Sequence, residues 1–210
     1  MKRILVSGAI AFAALQVSAQ NLSFGPTAGF GHGWMGGEDV SGKGKFHATY
    51  NIGGKLVYSF ISHWGISADV KFSGEGGART IEDADYIQRL NYIRIPLQGI
   101  YFFGEYGDAV RPKVSAGPSF GFLVGGKAKT KEDGEVIAEI DSKDAFKGVD
   151  LGVQAAAGAN FRIARNTWLN TDITYYHGLT NIHEMADKVF NRGLGLNVGV
   201  TFGIGTVKPR

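Results

Sequence analysis

Between Phe46 and Phe60 every second residue is apolar, with one glycine: Phe46, Ala48, Tyr50, Ile52, Gly54, Leu56, Tyr58, Phe60. The residues between them, His47, Thr49, Asn51, Gly53, Lys55, Val57 and Ser59, are polar or small except for Val57. A period of two puts these sets on opposite faces of a strand. The alternation recurs near 22–34, where Leu22, Phe24, Ala28, Phe30 and Trp34 oppose Ser23, Gly25, Thr27, Gly29, Gly31 and Gly33. It returns near 64–73, 91–103, 110–124, 150–163, 168–175 and 193–204, which predicts eight strands. The fourth, "NYIRIPLQGIYFF", has the least regular phase, because Tyr92, Ile100 and Phe102 fall on its otherwise polar side.

The connections between these strands alternate in length. The segments near 36–45, 75–89, 125–147 and 178–190 are long, and those at 61–63, 104–109 and 164–166 are short. Long loops at one end and short turns at the other are the asymmetry of a transmembrane barrel. A soluble ligand-carrying barrel also alternates, but it turns its apolar face inward and solvates a face rich in Lys and Glu. Here the polar face is mostly Gly, Ser, Thr and Asn with isolated charges, which suits the inside of a narrow cylinder. Aromatic residues fall at two levels. Trp34, Phe46, Phe72, Phe122 and Tyr175 lie toward the long-loop end, and Phe24, Phe60, Trp64, Tyr101, Phe161 and Phe202 toward the short-turn end. Two girdles flanking an aliphatic band match the two interfaces of a bilayer. An open sheet edge in lipid would leave backbone groups unpaired, so the first strand must close on the eighth. The expected fold is all-β: an eight-stranded antiparallel up-and-down transmembrane β-barrel, expected as a monomer.

The isolated charges on the inner face should pair, since a buried charge without a partner is costly. Asp69, Asp150 and Asp172 are expected to meet Lys55, Lys71, Arg94, Arg111 or Arg162 in one network that plugs the barrel.

Composition sharpens this picture. Glycine is the commonest residue, 32 of 210, roughly twice average usage, which disfavours long helices and suits a crowded sheet face. The formal charge of +3 and scattered lysines give no reason to invoke nucleic acid. With no cysteine there is no disulfide framework and no thiolate metal site. The start, "MKRILVSGAIAFAALQVSAQ", has a basic Lys2-Arg3, an apolar stretch and a small-residue Val17-Ser18-Ala19. It reads as a cleaved secretory leader over 1–19, followed by a barrel domain over 20–210. No later run approaches 18 apolar residues, so membrane residence must come from strands.

Four segments carry a family likeness. "LNYIRIPLQGIYFFG" (90–104) resembles the fourth-strand signature of the PorT-like outer-membrane β-barrels common in Bacteroidetes. "SAGPSFGFLVGGK", "DLGVQAAAGANF" and "YYHGLTNI" are similar to the later strands of that family. The resemblance spans the chain beyond the leader and rests on glycine and aromatic pattern. It implies a small barrel in the cell outer membrane of a Gram-negative envelope, surrounded by outer-membrane lipids, without catalytic residues. The namesake branch is linked to protein secretion. A departure from outer-membrane barrels generally is the end, where Phe202 is followed by eight more residues.

Reactive constellations are sparse. "GFLVGGKA" (121–128) falls short of a phosphate-binding loop: it lacks the final Ser or Thr, and Lys127 opens a charged segment rather than a helix. "GLGLNVG" (193–199) has the wrong glycine spacing for a dinucleotide site. His183, Glu184 and Asp187 share one loop without a second histidine nearby, a weak metal set. His177 and Ser73 are the residues to consider for an acyl-hydrolase, though their spacing does not favour one. No catalytic, metal or cofactor-binding residue is expected. The expectation is a non-enzymatic barrel with an envelope-structural role or a surface role through its external loops, above all 125–147. The alternative is a transport-related barrel, a narrow pore or an accessory to secretion.

Overall fold

The computed structural model describes residues 21–204 except 39, 61, 186 and 187. The leader expected over 1–19 lies outside these residues. The strands are β1 (Leu22–Gly36), β2 (Lys43–Lys45), β3 (Ala48–Ser59), β4 (Trp64–Ile81), β5 (Ala84–Phe102), β6 (Val110–Glu132), β7 (Glu135–Asp141), β8 (Val149–Ala164), β9 (Thr167–Gly178) and β10 (Phe190–Ile204). Eight of them form an antiparallel ring in the order β1, β3, β4, β5, β6, β8, β9, β10. The ring closes where β1 pairs with β10, from Leu22 opposite Ile204 to Gly36 opposite Phe190. Closure leaves no edge in the wall, which is what hydrocarbon demands of a sheet. No helix among the described residues is long and apolar enough to cross a membrane.

The alternating faces segregate as the pattern predicts. Outside, Phe30, Leu196 and Ile173 are all more than half exposed and lie side by side in the register of β1, β10 and β9, and Ile52 of β3, equally exposed, lies opposite Ala28. Inside, Thr27, Lys55, Asp69, Arg94, Asn170 and Thr201 are buried. An apolar belt of this extent is not tolerated on a monomer in water. Aromatic rings mark both rims. Trp64 meets Tyr101 at 5.1 Å and Tyr58 meets Phe60 at 5.1 Å near the short turns. Trp34 meets Tyr175 at 6.3 Å, and Tyr50 meets Phe72 at 6.4 Å, at the opposite rim.

Glycine serves the tight curvature of this wall. A Cβ on Gly158 would sit 1.9 Å from the Thr171 carbonyl oxygen, and one on Gly53 would sit 2.0 Å from that of Val70. Neighbouring backbones cross too closely at these inward positions for any side chain.

Two of the expected long loops are not loops. The segment near 75–89 belongs to β4 and β5, which run 18 and 19 residues and reverse at Glu82-Asp83, with Glu82 at φ 54°. Most of 125–147 is the end of the 23-residue β6 and the strand β7, joined through Asp133 and Gly134 at φ 49° and 86°. A tilted strand crosses a bilayer in about 9–11 residues, so β4, β5 and β6 extend well past it. With β2 and β7 they build a five-stranded sheet, β2-β4-β5-β6-β7, that stands above the membrane.

Candidate functional site in the lumen and above the membrane

Side chains fill the lumen in layers. At the external mouth Leu90, Tyr92, Phe146, Ile182 and Val189 form a buried apolar cap. The segments after β7 and after β9 hold it in place. Lys147 N–H donates to the Ile182 carbonyl at 2.8 Å, Glu184 N–H to that of Ala145 at 3.0 Å, and the Ser142 hydroxyl to that of Arg89 at 2.8 Å. Tyr92 was the misfit of the fourth strand's alternation, and its inward ring is explained by this cap.

Under the cap lies Arg94. Its guanidinium packs 4.9 Å from the Tyr92 ring centroid and 4.1 Å from that of Tyr176. Nε donates to Glu75 at 3.0 Å and Nη2 to Asp150 at 2.8 Å, and Asn191 Nδ2 donates to Glu75 at 2.5 Å. The aromatic faces and two carboxylates surround one delocalised cation, the arrangement to which a guanidinium is suited. Deeper, Asp69 lies 3.2 Å from Lys55 and 3.7 Å from Lys71, and Lys113 donates to Asp172 at 3.0 Å. At the short-turn end Val57, Ile100 and Phe102 form a second apolar layer. Between the layers the lumen keeps a cavity of about 70 Å³ bordered by Lys71, Glu75, Arg94, Gln154 and Asn197.

The expected single network is therefore three separate groups. Asp69, Asp150 and Asp172 pair with Lys55, Lys71, Arg94 and, unanticipated as a partner, Lys113. Glu75 joins because β4 continues through a stretch read as loop. Neither Arg111 nor Arg162 has a carboxylate partner in these groups. Arg111 stacks 3.9 Å from the Phe102 ring centroid, and Arg162 reaches the rim beside Trp168.

The weaker chemical candidates separate. Ser73 points into the lumen from β4, while His177 hydrogen-bonds the hydroxyl of the outward Tyr175 at 3.0 Å, so the wall stands between them. His183 stacks edge-on to Phe146 at 5.1 Å, and its Nδ1 accepts the Met185 N–H at 3.2 Å; Asp187 lies outside the described residues. Among the described residues there is no group of three or more His, Asp or Glu side chains placed to hold a metal. Residues 121–128 continue along β6 and 193–199 along β10, with no helix to receive a phosphate.

The external sheet is charged on the face that continues the lipid-facing surface. Register aligns Arg89 with Lys127, and Lys127 with Asp141. Lys129 lies 2.7 Å from Glu139, which also pairs with Lys127, and Lys45 lies 2.6 Å from Asp85. The two lysines hold Glu139 down to about 2, and hydrogen bonds from Lys45 and Thr80 lower Asp85. β7 is exposed along its whole length.

The chain is similar, at low identity, to several solved proteins. The attachment invasion locus protein Ail of Yersinia pestis is 18% identical, with a TM-score of 0.42, over 86% of this chain and 98% of that one. Neisserial surface protein A is 16% identical at 0.48, covering 86% and 96%, and OprG of Pseudomonas aeruginosa is 10% identical at 0.47, covering 86% and 94%. No curated protein matches by sequence. Residues 17–184 match the family described as outer membrane protein beta-barrel domain, and the chain, an outer-membrane barrel, belongs to that family.

Proposed function

We propose that this barrel is a non-enzymatic surface protein of the outer membrane whose work is done by the external sheet β2-β4-β5-β6-β7. The observation that carries this reading is the contrast between a filled lumen and a projecting wall. The inside is occupied by paired charges under an apolar cap. The sheet above it presents ion-paired lysines and carboxylates on one face and a strand, β7, with no neighbour on its outer edge among the described residues. Loops and extensions held on a rigid scaffold are where binding surfaces usually sit. The likeness of 90–104 to the PorT-like branch supports the same address. The test is cross-linking on whole cells with and without the β6–β7 tip, replacing 128–140 by an Asn-Gly turn so that Lys127 still meets Asp141. A partner that disappears with the tip supports the proposal; an unchanged set of cross-linked partners rejects it.

The second reading is a transport-related barrel or secretion accessory, favoured by the same likeness in 90–104. It requires the capped interior to open. Planar-bilayer recordings of the purified protein separate the two, since stable unitary openings would replace the first reading with the second.

A further inference from the structure

At the periplasmic end the barrel carries a second cavity, of about 140 Å³. Arg111, Arg162 and Arg165 line it together with Trp168, Tyr106 and Asn160, and no described carboxylate does. The acids of the adjoining turn act on Arg111 through space but make no ion pair with it: Asp108 accepts the Glu105 N–H at 2.7 Å, and Glu105 is exposed, 3.9 Å from His63. Arg111 is 4% exposed. Phe102 covers one face of its guanidinium, Nη2 donates to the Ser62 carbonyl at a long 3.5 Å, and the buried Nε has no hydrogen-bond partner. Elsewhere in the lumen Lys55, Lys71, Arg94 and Lys113 each face a carboxylate. Arg111 is the buried cation among the described residues that does not. A guanidinium withdrawn from water with no carboxylate in contact is disfavoured, and an anion that reaches it would complete the arrangement.

We propose that this vestibule binds a phosphate-type oxyanion, with Arg111 beneath it and Arg162 and Arg165 at the rim. A planar guanidinium donates in a fork that matches phosphate oxygens. A carboxylate brings one charge, whereas a phosphate monoester brings nearly two and three acceptor oxygens, which suits a cavity lined by three arginines better. The cavity takes the anionic group and not a whole nucleotide, since sites for drug-sized ligands occupy roughly 300–1,000 Å³. It opens at the periplasmic face, so the phosphate comes either free from the periplasm or on the headgroup of an inner-leaflet lipid. This inference is independent of what the external sheet contacts.

The experiment uses the full barrel in a phosphate-free, non-ionic detergent and follows phosphorus-31 NMR of inorganic phosphate and, separately, of a short-chain phosphatidic acid. Saturable, salt-sensitive binding is expected for at least one probe. Binding of inorganic phosphate identifies the free source; binding of phosphatidic acid alone identifies the headgroup. R111Q should weaken binding by about tenfold or more, as loss of a charge-assisted contact does. Because Arg111 also packs on Phe102, the rim variant R162A/R165A is measured too, with heat-dependent gel mobility showing that each barrel is folded. E139Q, on the external sheet, should bind like the parent. Failure of both probes to bind, or equal binding by parent and the folded rim variant, overturns the proposal.

Discussion

Arg94 on β5 reaches Asp150 on β8 at 2.8 Å, although β6 lies between their strands in the wall. The bond is therefore a chord across the lumen, and it braces a narrow cylinder. The side chains of Arg94 and Asp150 are 3% and 0% exposed, and Glu75 completes the group at 14%. Removing one partner of a buried pair leaves the other charged and dry. Arg94→Leu should lower stability by about 3–5 kcal/mol, because it strands two carboxylates. Adding Glu75→Gln and Asp150→Asn to that variant should recover a large part of the loss, since the uncompensated charge is gone. Urea unfolding in micelles, read as a shift in midpoint at constant slope, measures both. A triple variant no more stable than the single one would show that packing around Tyr92 and Tyr176, and not charge, sets the cost.

Curvature yields a sharper contrast. Gly158 and Gly54 are both mid-strand glycines, but a Cβ on Gly158 meets the Thr171 carbonyl at 1.9 Å, while one on Gly54 meets nothing within 4 Å. Gly158→Ala should cost about 3 kcal/mol or abolish folding, as forced overpacking does. Gly54→Ala should fall within about 0.5 kcal/mol of the parent. Fraction folded after refolding, read by gel mobility, checks the pair.

The same contrast shows what could be read from the chain. Phe24, Phe30 and Trp64 point outward and Thr27, Asp69 and Arg94 inward, because one face meets lipid and the other a crowded lumen, and period-two alternation reports that difference directly. Above the membrane both faces of a strand meet water. Lys127 and Lys129 then stand on the face that carries Phe122 lower in β6, and 125–132 reads as a charged loop. Glu75 went unassigned for the same reason: Gly76 and Gly77 interrupt the pattern just beyond it, although β4 continues to Ile81. The pairing of Lys113 with Asp172 depends on inter-strand register, which side-chain alternation does not encode. Arg111 was expected to find a carboxylate on the general cost of buried charge, and instead lies on Phe102 beside a cavity.

Glu139 supplies a pH dependence confined to the external hairpin. Hydrogen bonds from Lys127 and then Lys129 hold its carboxyl near 2, below its ordinary 4.5. A carboxyl depressed in the folded state stabilises above its unfolded pKa and loses that contribution as pH falls through the folded one. The β6–β7 pairing should therefore be constant from pH 7 to about 5, weaken as pH falls below about 4.5, and lose this contribution near pH 2. Amide hydrogen exchange along β7, corrected for its intrinsic pH dependence, should show protection falling in that window. Glu139→Gln should flatten the profile while leaving the lumen amides unchanged.

The most direct test of the surrounding solvent compares two valines of nearly equal exposure. Val198 on β10 is 50% exposed and Val136 on β7 is 48% exposed. Val198 lies opposite Ala28 and Thr171, midway between the aromatic rims, and Val136 lies above the membrane on the external hairpin. If water bathed both, arginine at either position would be almost neutral. With hydrocarbon around the belt, Val198→Arg should cost about 2–4 kcal/mol and Val136→Arg close to nothing. Folding into liposomes at graded denaturant gives both values in one assay. Equal and small costs would place the aromatic-girdled belt in water, and the arginine at 198 would then be as harmless as the one at 136.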